Sequence, residues 1–194
     1  MIRLPAILLA ILHLNAGVAF AADQSDSDLG NVRAAVLKTV AAGALTLQIL
    51  PAGGDDNDLL WGAWDGFAGN TWTVHVILLH RREDAVTTAS PVLQEGGRSP
   101  LLEILPGWRF GPRPALLVRY QLGAADSRAE IYGVGANDTA TRLDILEGAL
   151  IEGFQSGGKE MLRVYETADL HGVPKCFGWN AHRNKLSRQA CDRH

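Results

Sequence analysis

Apolar and polar positions alternate with period two over most of this chain and follow a helical period over one segment only. In Trp72–Arg81, WTVHVILLHR, the residues Trp72, Val74, Val76, Leu78 and His80 fall on one face, and Thr73, His75, Ile77, Leu79 and Arg81 on the other. Both faces are largely apolar, which predicts a strand covered on two sides. The strongest pattern lies in Leu101–Val134. There Leu102–Leu105 runs into a Gly/Pro bend over Pro106–Pro114, and Ala115–Leu122 sets Leu116, Val118, Tyr120 and Leu122 against Ala115, Leu117, Arg119 and Gln121. A turn at Gly123–Ser127 returns the chain through Arg128–Val134, making a central hairpin.

The same signals place the remaining elements. Leu29, Val32, Val36 and Val40 recur at three- and four-residue steps, predicting a helix from about Leu29 to Ala42 that Gly43 stops. A strand follows over Ala44–Leu50 and ends at Pro51. Ala85–Leu93 reads as the hairpin partner of the Trp72 strand, and Gln94–Pro100 as a loop. Thr141–Leu146, Ala149–Phe154 and Lys159–Thr167 read as further strands, with a flexible tip at Gln155–Lys159. Cys176–Trp179, a turn at Asn180–Asn184 and Lys185–Arg188 complete the set. The predicted fold is mainly β: an antiparallel, blade-like or propeller-like sheet of hairpins with one short N-terminal helix.

The first residues stand apart from this pattern. Met1-Ile2-Arg3 is a short positive start, Ile7–Leu14 is mostly apolar, and Ala19-Phe20-Ala21 is a small-x-small cleavage site. This is the plan of a secretory signal peptide over residues 1–21, followed by a polar leader, 22–28, and a single β-rich domain, 29–194. The apolar run is too short and too interrupted, by His13 and Asn15, for a membrane anchor. The expected location is the periplasm, with no membrane insertion after cleavage. The mature chain of about 173 residues suits one domain with a real core. Losing Arg3 takes Lys+Arg from 18 to 17 against 21 Asp+Glu, a net charge of −4. Without a basic excess or a Lys/Arg block, nucleic acid is not an expected partner.

Cys176 and Cys191 lie close together in a chain expected to be exported, so a disulfide is expected between them. No Cys-x-x-Cys or His-x-x-x-His spacing supports a metal site. The acidic loop Gly53–Asp58 lacks the alternation and the distal Glu of a calcium loop, which leaves a solvated turn. His75 and His80, five apart, point to opposite faces of one strand and cannot share a metal there. His171 and His182 fall in loops. No cofactor is expected.

Catalytic motifs are missing: there is no Gly-x-Ser-x-Gly, no His-Glu-x-x-His and no Gly-rich strand-to-helix turn. Glu103, Glu130, Asp144 and Glu147 supply carboxylates that an enzyme acting on envelope polysaccharide would need in pairs. Trp61, Trp64 and Trp72 would be its sugar platform, although aromatic residues beside strands more often form core.

Three times a Gly-containing bend leads through Trp or Pro into an apolar strand: Gly66–Val76, Gly107–Val118 and Leu170–Trp179. Around Trp108–Ala129 and again at Asp169–Trp179 the chain resembles the VCBS/FG-GAP type of propeller repeat. The matching residues are Asp169, Gly172, Pro174 and Trp179-Asn180. That family's calcium aspartates are absent, with Arg109, Arg113 and His171 in or near their places. The resemblance implies an antiparallel blade-like fold without calcium, and makes the Trp108-Arg109-Phe110 bend a packing or partner surface.

The leading expectation is an exported, non-catalytic periplasmic binding protein whose partner is another protein, such as an inhibitor or immunity protein against a cell-wall-degrading enzyme. Periplasmic lysozyme inhibitors are similar in size, export and β content, and insert a Ser-Gly loop into their target. Ser156-Gly157-Gly158-Lys159 offers such a loop without the tyrosine expected after it. The candidate partner-binding residues are Ser156, Lys159, Trp108 and Arg109. The alternatives are an envelope polysaccharide enzyme and a structural envelope domain.

Overall fold

A computed structural model describes residues 30–53, 58–82, 85–167 and 172–191. The signal peptide and leader, most of the acidic loop, and Asp169 and His171 lie outside the described residues. One helix, α1 (residues 30–39), precedes thirteen strands. The strands form three antiparallel sheets, each a chain of hairpins. The first holds β1 (Thr46–Pro51), β2 (Leu59–Ala68) and β3 (Thr71–Arg82), with β4 (Ala85–Thr88) and β5 (Leu93–Gly96) both paired to β3. The second is β6 (Arg98–Phe110), β7 (Arg113–Gln121), β8 (Ser127–Val134) and β9 (Ala140–Gly148) in that order. The third is β10 (Leu150–Ser156), β11 (Lys159–Tyr165), β12 (Lys175–Asn180) and β13 (Lys185–Gln189). The blade-like, mainly β expectation with one short helix is what the chain adopts.

Three apolar layers hold the stack together. Val32 and Val36 of α1, with Ala41 beyond it, cover Leu47, Leu60, Trp64, Ile77 and Leu79 on the outer face of the first sheet. Trp61, Val74, Val76 and Leu78 from its inner face meet Leu102, Leu116, Val118 and Tyr132 of the second. The opposite face of the second sheet packs Ala115, Leu117 and Ile131 against Ile151, Leu162 and Val164 of the third. β3 and β7 are therefore buried on both faces, which is why their sequences read as near-continuous apolar runs rather than clean alternation.

Several boundaries differ from expectation, each for a local reason. The span Pro106–Pro114 is not a bend: β6 runs to Phe110, and the pairing with β7 slips between Leu105 and Arg109. Pro106 has no N–H for the ladder, so the strand bulges there and continues. Gln94–Pro100 is not a loop either, since it holds β5 and the start of β6. Ala85–Leu93 is broken in two before Pro91, where Ala89 and Ser90 both donate to the Leu78 carbonyl. One copy of the bend-to-strand repeat falls in each sheet, at a different place in its strand order. Gly66–Val76 spans β2 and β3, Gly107–Val118 spans β6 and β7, and the third copy leads into β12.

Trp61 and Trp64 are core residues and Trp72 is half-buried against the Phe67 ring at 4.3 Å, so the three do not share a tryptophan platform. His75 stacks on Trp64, with ring centroids 5.1 Å apart, and burial lowers its pKa from the ordinary histidine value. His80 instead meets Asp138 at 3.2 Å, linking the first sheet to the turn between β8 and β9. Cys176 and Cys191 form the expected disulfide, Cα to Cα 5.3 Å, tying the buried Cys176 of β12 to the segment after β13. Replacing both cysteines by alanine should lower stability by about 3 kcal/mol, the chain-entropy value for a loop of this size. Urea unfolding of the oxidised protein and of the double variant measures it.

Candidate functional site

Polar side chains concentrate in two places. The first is a cage around Glu130, whose side chain is fully buried between the first and second sheets. Tyr120 Oη donates to one carboxylate oxygen at 2.7 Å and Tyr132 Oη to the other. Arg128 and Arg142 approach within 3.8 and 3.6 Å. Both arginines also pair with Glu95 of β5, and Arg128 Nε donates to Glu147 at 2.9 Å. The bulge between Ile131 and Tyr132 makes this possible. Tyr132 pairs with Arg142 rather than Leu143, so Arg142 comes to the face that carries Glu130. Burial, and then the Glu130 carboxylate, hold both tyrosine hydroxyls well above the ordinary phenol range, so both remain donors. With each carboxylate oxygen of the buried Glu130 taken, the cage is a clamp between sheets, open to solvent along its Glu147 edge.

The second place is an open cleft of about 490 Å³ where the second sheet meets the end of the third. The β6 bulge supplies Gly107 and Trp108. The β10–β11 hairpin supplies Gln155, Lys159 and Glu160, and the β12–β13 hairpin Trp179 and Gln189. Trp108 and Trp179 lie nearly parallel, 13° between planes and 5.8 Å between centroids. Their N–H groups are both engaged: Trp108 donates to the Glu160 carbonyl at 3.0 Å, and Trp179 to the Arg109 carbonyl at 3.1 Å. Glu160 also accepts the Gly107 N–H at 2.8 Å. The indoles are thus fixed in orientation, Trp108 buried and Trp179 half-exposed. Among the described residues the side-chain heads of Gln155, Lys159 and Gln189 have no partner.

Of the four expected partner-binding residues, Trp108 and Lys159 line the cleft, and Arg109 and Ser156 do not. Lys159 lines the cleft, exposed. Arg109 is outside the lining: its guanidinium donates to the Pro112 carbonyl at 2.7 Å, and its carbonyl accepts the Trp179 N–H. Trp108 backs the cleft but is core, only 3% exposed, so it supports a ligand surface without presenting one. Ser156 pairs with Lys159 beneath the tip, where Gly157 and Gly158 both take positive φ, 56° and 74°. That is a two-residue hairpin turn, so the tip is regular and short rather than a long inserting loop.

The expected catalytic carboxylates do not meet here. Glu103 pairs with Arg119 at 3.2 Å, Asp144 accepts the Leu186 N–H at 2.8 Å, Glu147 holds Arg128, and Glu130 is buried. Among the described residues no cluster of His, Cys, Asp and Glu has the makings of a metal site. Sequence reasoning missed Trp179, Gln155, Glu160 and Gln189 as cleft residues. The pairing of Gln155 with Glu160 follows from the hairpin tip, but the Trp108–Trp179 contact spans 71 positions and leaves no local signal. Compared with protein-family models and with curated protein sequences, the chain matches none.

Glu130→Ala should destabilise by about 3–5 kcal/mol, because it strands two buried hydroxyls and removes a buried counter-charge. Glu147→Ala, at the exposed edge of the same cage, should cost under about 1 kcal/mol. Chemical denaturation separates the two. Trp108→Ala should cost about 3–5 kcal/mol through the cavity it leaves, and should free the Trp179 ring, seen as a red-shifted emission in the folded protein.

Proposed function

We propose that this chain is an exported, non-catalytic binding protein of the periplasm that holds its ligand in the Trp108–Trp179 cleft. One observation carries the reading: the cleft lining has a single carboxylate, Glu160, and its Oε2 already accepts the Gly107 N–H. Glycoside cleavage takes a pair of carboxylates about 5–10 Å apart, one to protonate and one to attack or activate water. What the lining offers instead is recognition chemistry, a fixed aromatic wall with unengaged amide and ammonium heads, in a volume within the usual range of about 300–1,000 Å³ for ligand pockets. Export rests on the Met1–Ala21 segment. An inhibitor of a cell-wall-degrading enzyme is the second reading, favoured by the exposed Gly157-Gly158-Lys159 tip at the rim of the same cleft.

Expression of the full chain should yield a periplasmic product whose N-terminal sequence begins at Ala22 or Asp23. The immobilised mature protein should retain a component of periplasmic extract, and Trp179→Ala, checked for folding by circular dichroism, should lose it. Lysozyme-driven lysis of cell walls, slowed by the wild type and not by Lys159→Glu, would select the inhibitor reading. A product that stays unprocessed, or a column that retains nothing and gives no protection from lysis, refutes the proposal.

A further inference from the structure

The chemistry of the cleft narrows its ligand to one class, and we infer that it is a saccharide site. The inference rests on the cleft being the binding site proposed above. Trp179 is held by its N–H on the Arg109 carbonyl and by Trp108 at its back, so a ligand meets the carbon face of the ring. A pyranose has a complementary C–H face and a rim of hydroxyls that donate and accept in turn. The groups around Trp179 match that rim: Gln155 and Gln189 each bring an amide that does both, and Lys159 donates only. All three are exposed and without partners among the described residues.

Two alternatives fit less well. A nucleotide would also stack, but its phosphates need cations, and Lys159 is the only one in the lining, next in sequence to the acidic Glu160. An apolar ligand would leave the two amides and the ammonium desolvated without partners, which is costly. Glycine lets the polar lining side chains come close: a Cβ on Gly107 would sit 2.9 Å from Glu160 Oε2, and one on Gly178 would clash with the Gln189 amide.

The test is tryptophan fluorescence of the mature, oxidised protein titrated with chitotriose, cellotriose and maltotriose, with adenosine monophosphate as a control. The expected result is a saturable change with at least one trisaccharide and none with the nucleotide. Gln155→Ala/Gln189→Ala, at two exposed positions, should weaken that binding about tenfold while leaving the unfolding midpoint in place. Trp179→Phe should retain part of the affinity and Trp179→Ala none. No response to any of the three sugars, tighter binding of the nucleotide, or sugar binding unchanged in the double glutamine variant overturns the saccharide assignment. A periplasmic component still retained through Trp179 in that case shows that the binding cleft survives and only its ligand class was wrong.

Discussion

β6 is an edge strand with its outward backbone unpaired, and the way those groups are satisfied determines how the three sheets sit together. An edge N–H left without a partner inside a stack costs as much as a lost hydrogen bond. Side chains from both neighbouring sheets fill the role. Asp65, itself buried, accepts the Ser99 N–H at 2.8 Å while also taking two donors from Thr46. Gln48 accepts the Leu102 N–H at 2.8 Å. Further along, Glu160 of the third sheet accepts that of Gly107. A single strand is thereby bonded to the first sheet at one end and to the third at the other. The edge is closed to further pairing by acceptors in the same chain.

The cleft follows from that arrangement. Sheets that are flat and fully packed leave no space between them, and the second sheet is covered on both faces along most of its length. At Pro106 the ladder with β7 is lost, and Gly107 and Trp108 swing out to meet the third sheet instead. The two sheets touch there through one stacked indole pair and three hydrogen bonds, while the two hairpin ends of the third sheet extend past the contact. A gap lined by backbone, indole and exposed polar tips is the geometric consequence of one proline without an N–H.

Much of this was legible in the chain. The double-sided burial of β3 appears in WTVHVILLHR, and the Gly157-Gly158 turn and the Cys176–Cys191 pairing needed only local chemistry. What stayed hidden has a common cause. Three register shifts, between Arg98 and Leu101, at Pro106 and at Leu143, change the parity of side chains along their strands, so strict alternation assigns the wrong face beyond them. Arg142 comes to the face of Glu130 through the bulge at Leu143, and Trp108 meets Trp179 beyond the bulge at Pro106. Contacts between residues 109 and 179, or 95 and 142, depend on how whole sheets stack. No window of the sequence contains that information.

The two polar regions differ in how completely their groups are satisfied from within the fold. The Glu130 cage looks more like a site from its composition, with tyrosines, arginines and carboxylates at short range. Yet those groups are answered from within, by Glu95 across the sheet interface or by a phenol on the next strand. The cleft has the milder chemistry and the unmet hydrogen-bonding capacity. Stability draws on polar groups that are complete, and the proposed recognition on those that are not. The fixed indoles make the difference useful, because a ligand that pairs with Gln155, Lys159 and Gln189 meets an aromatic wall already ordered by the fold and bears less of the entropic cost of assembling it.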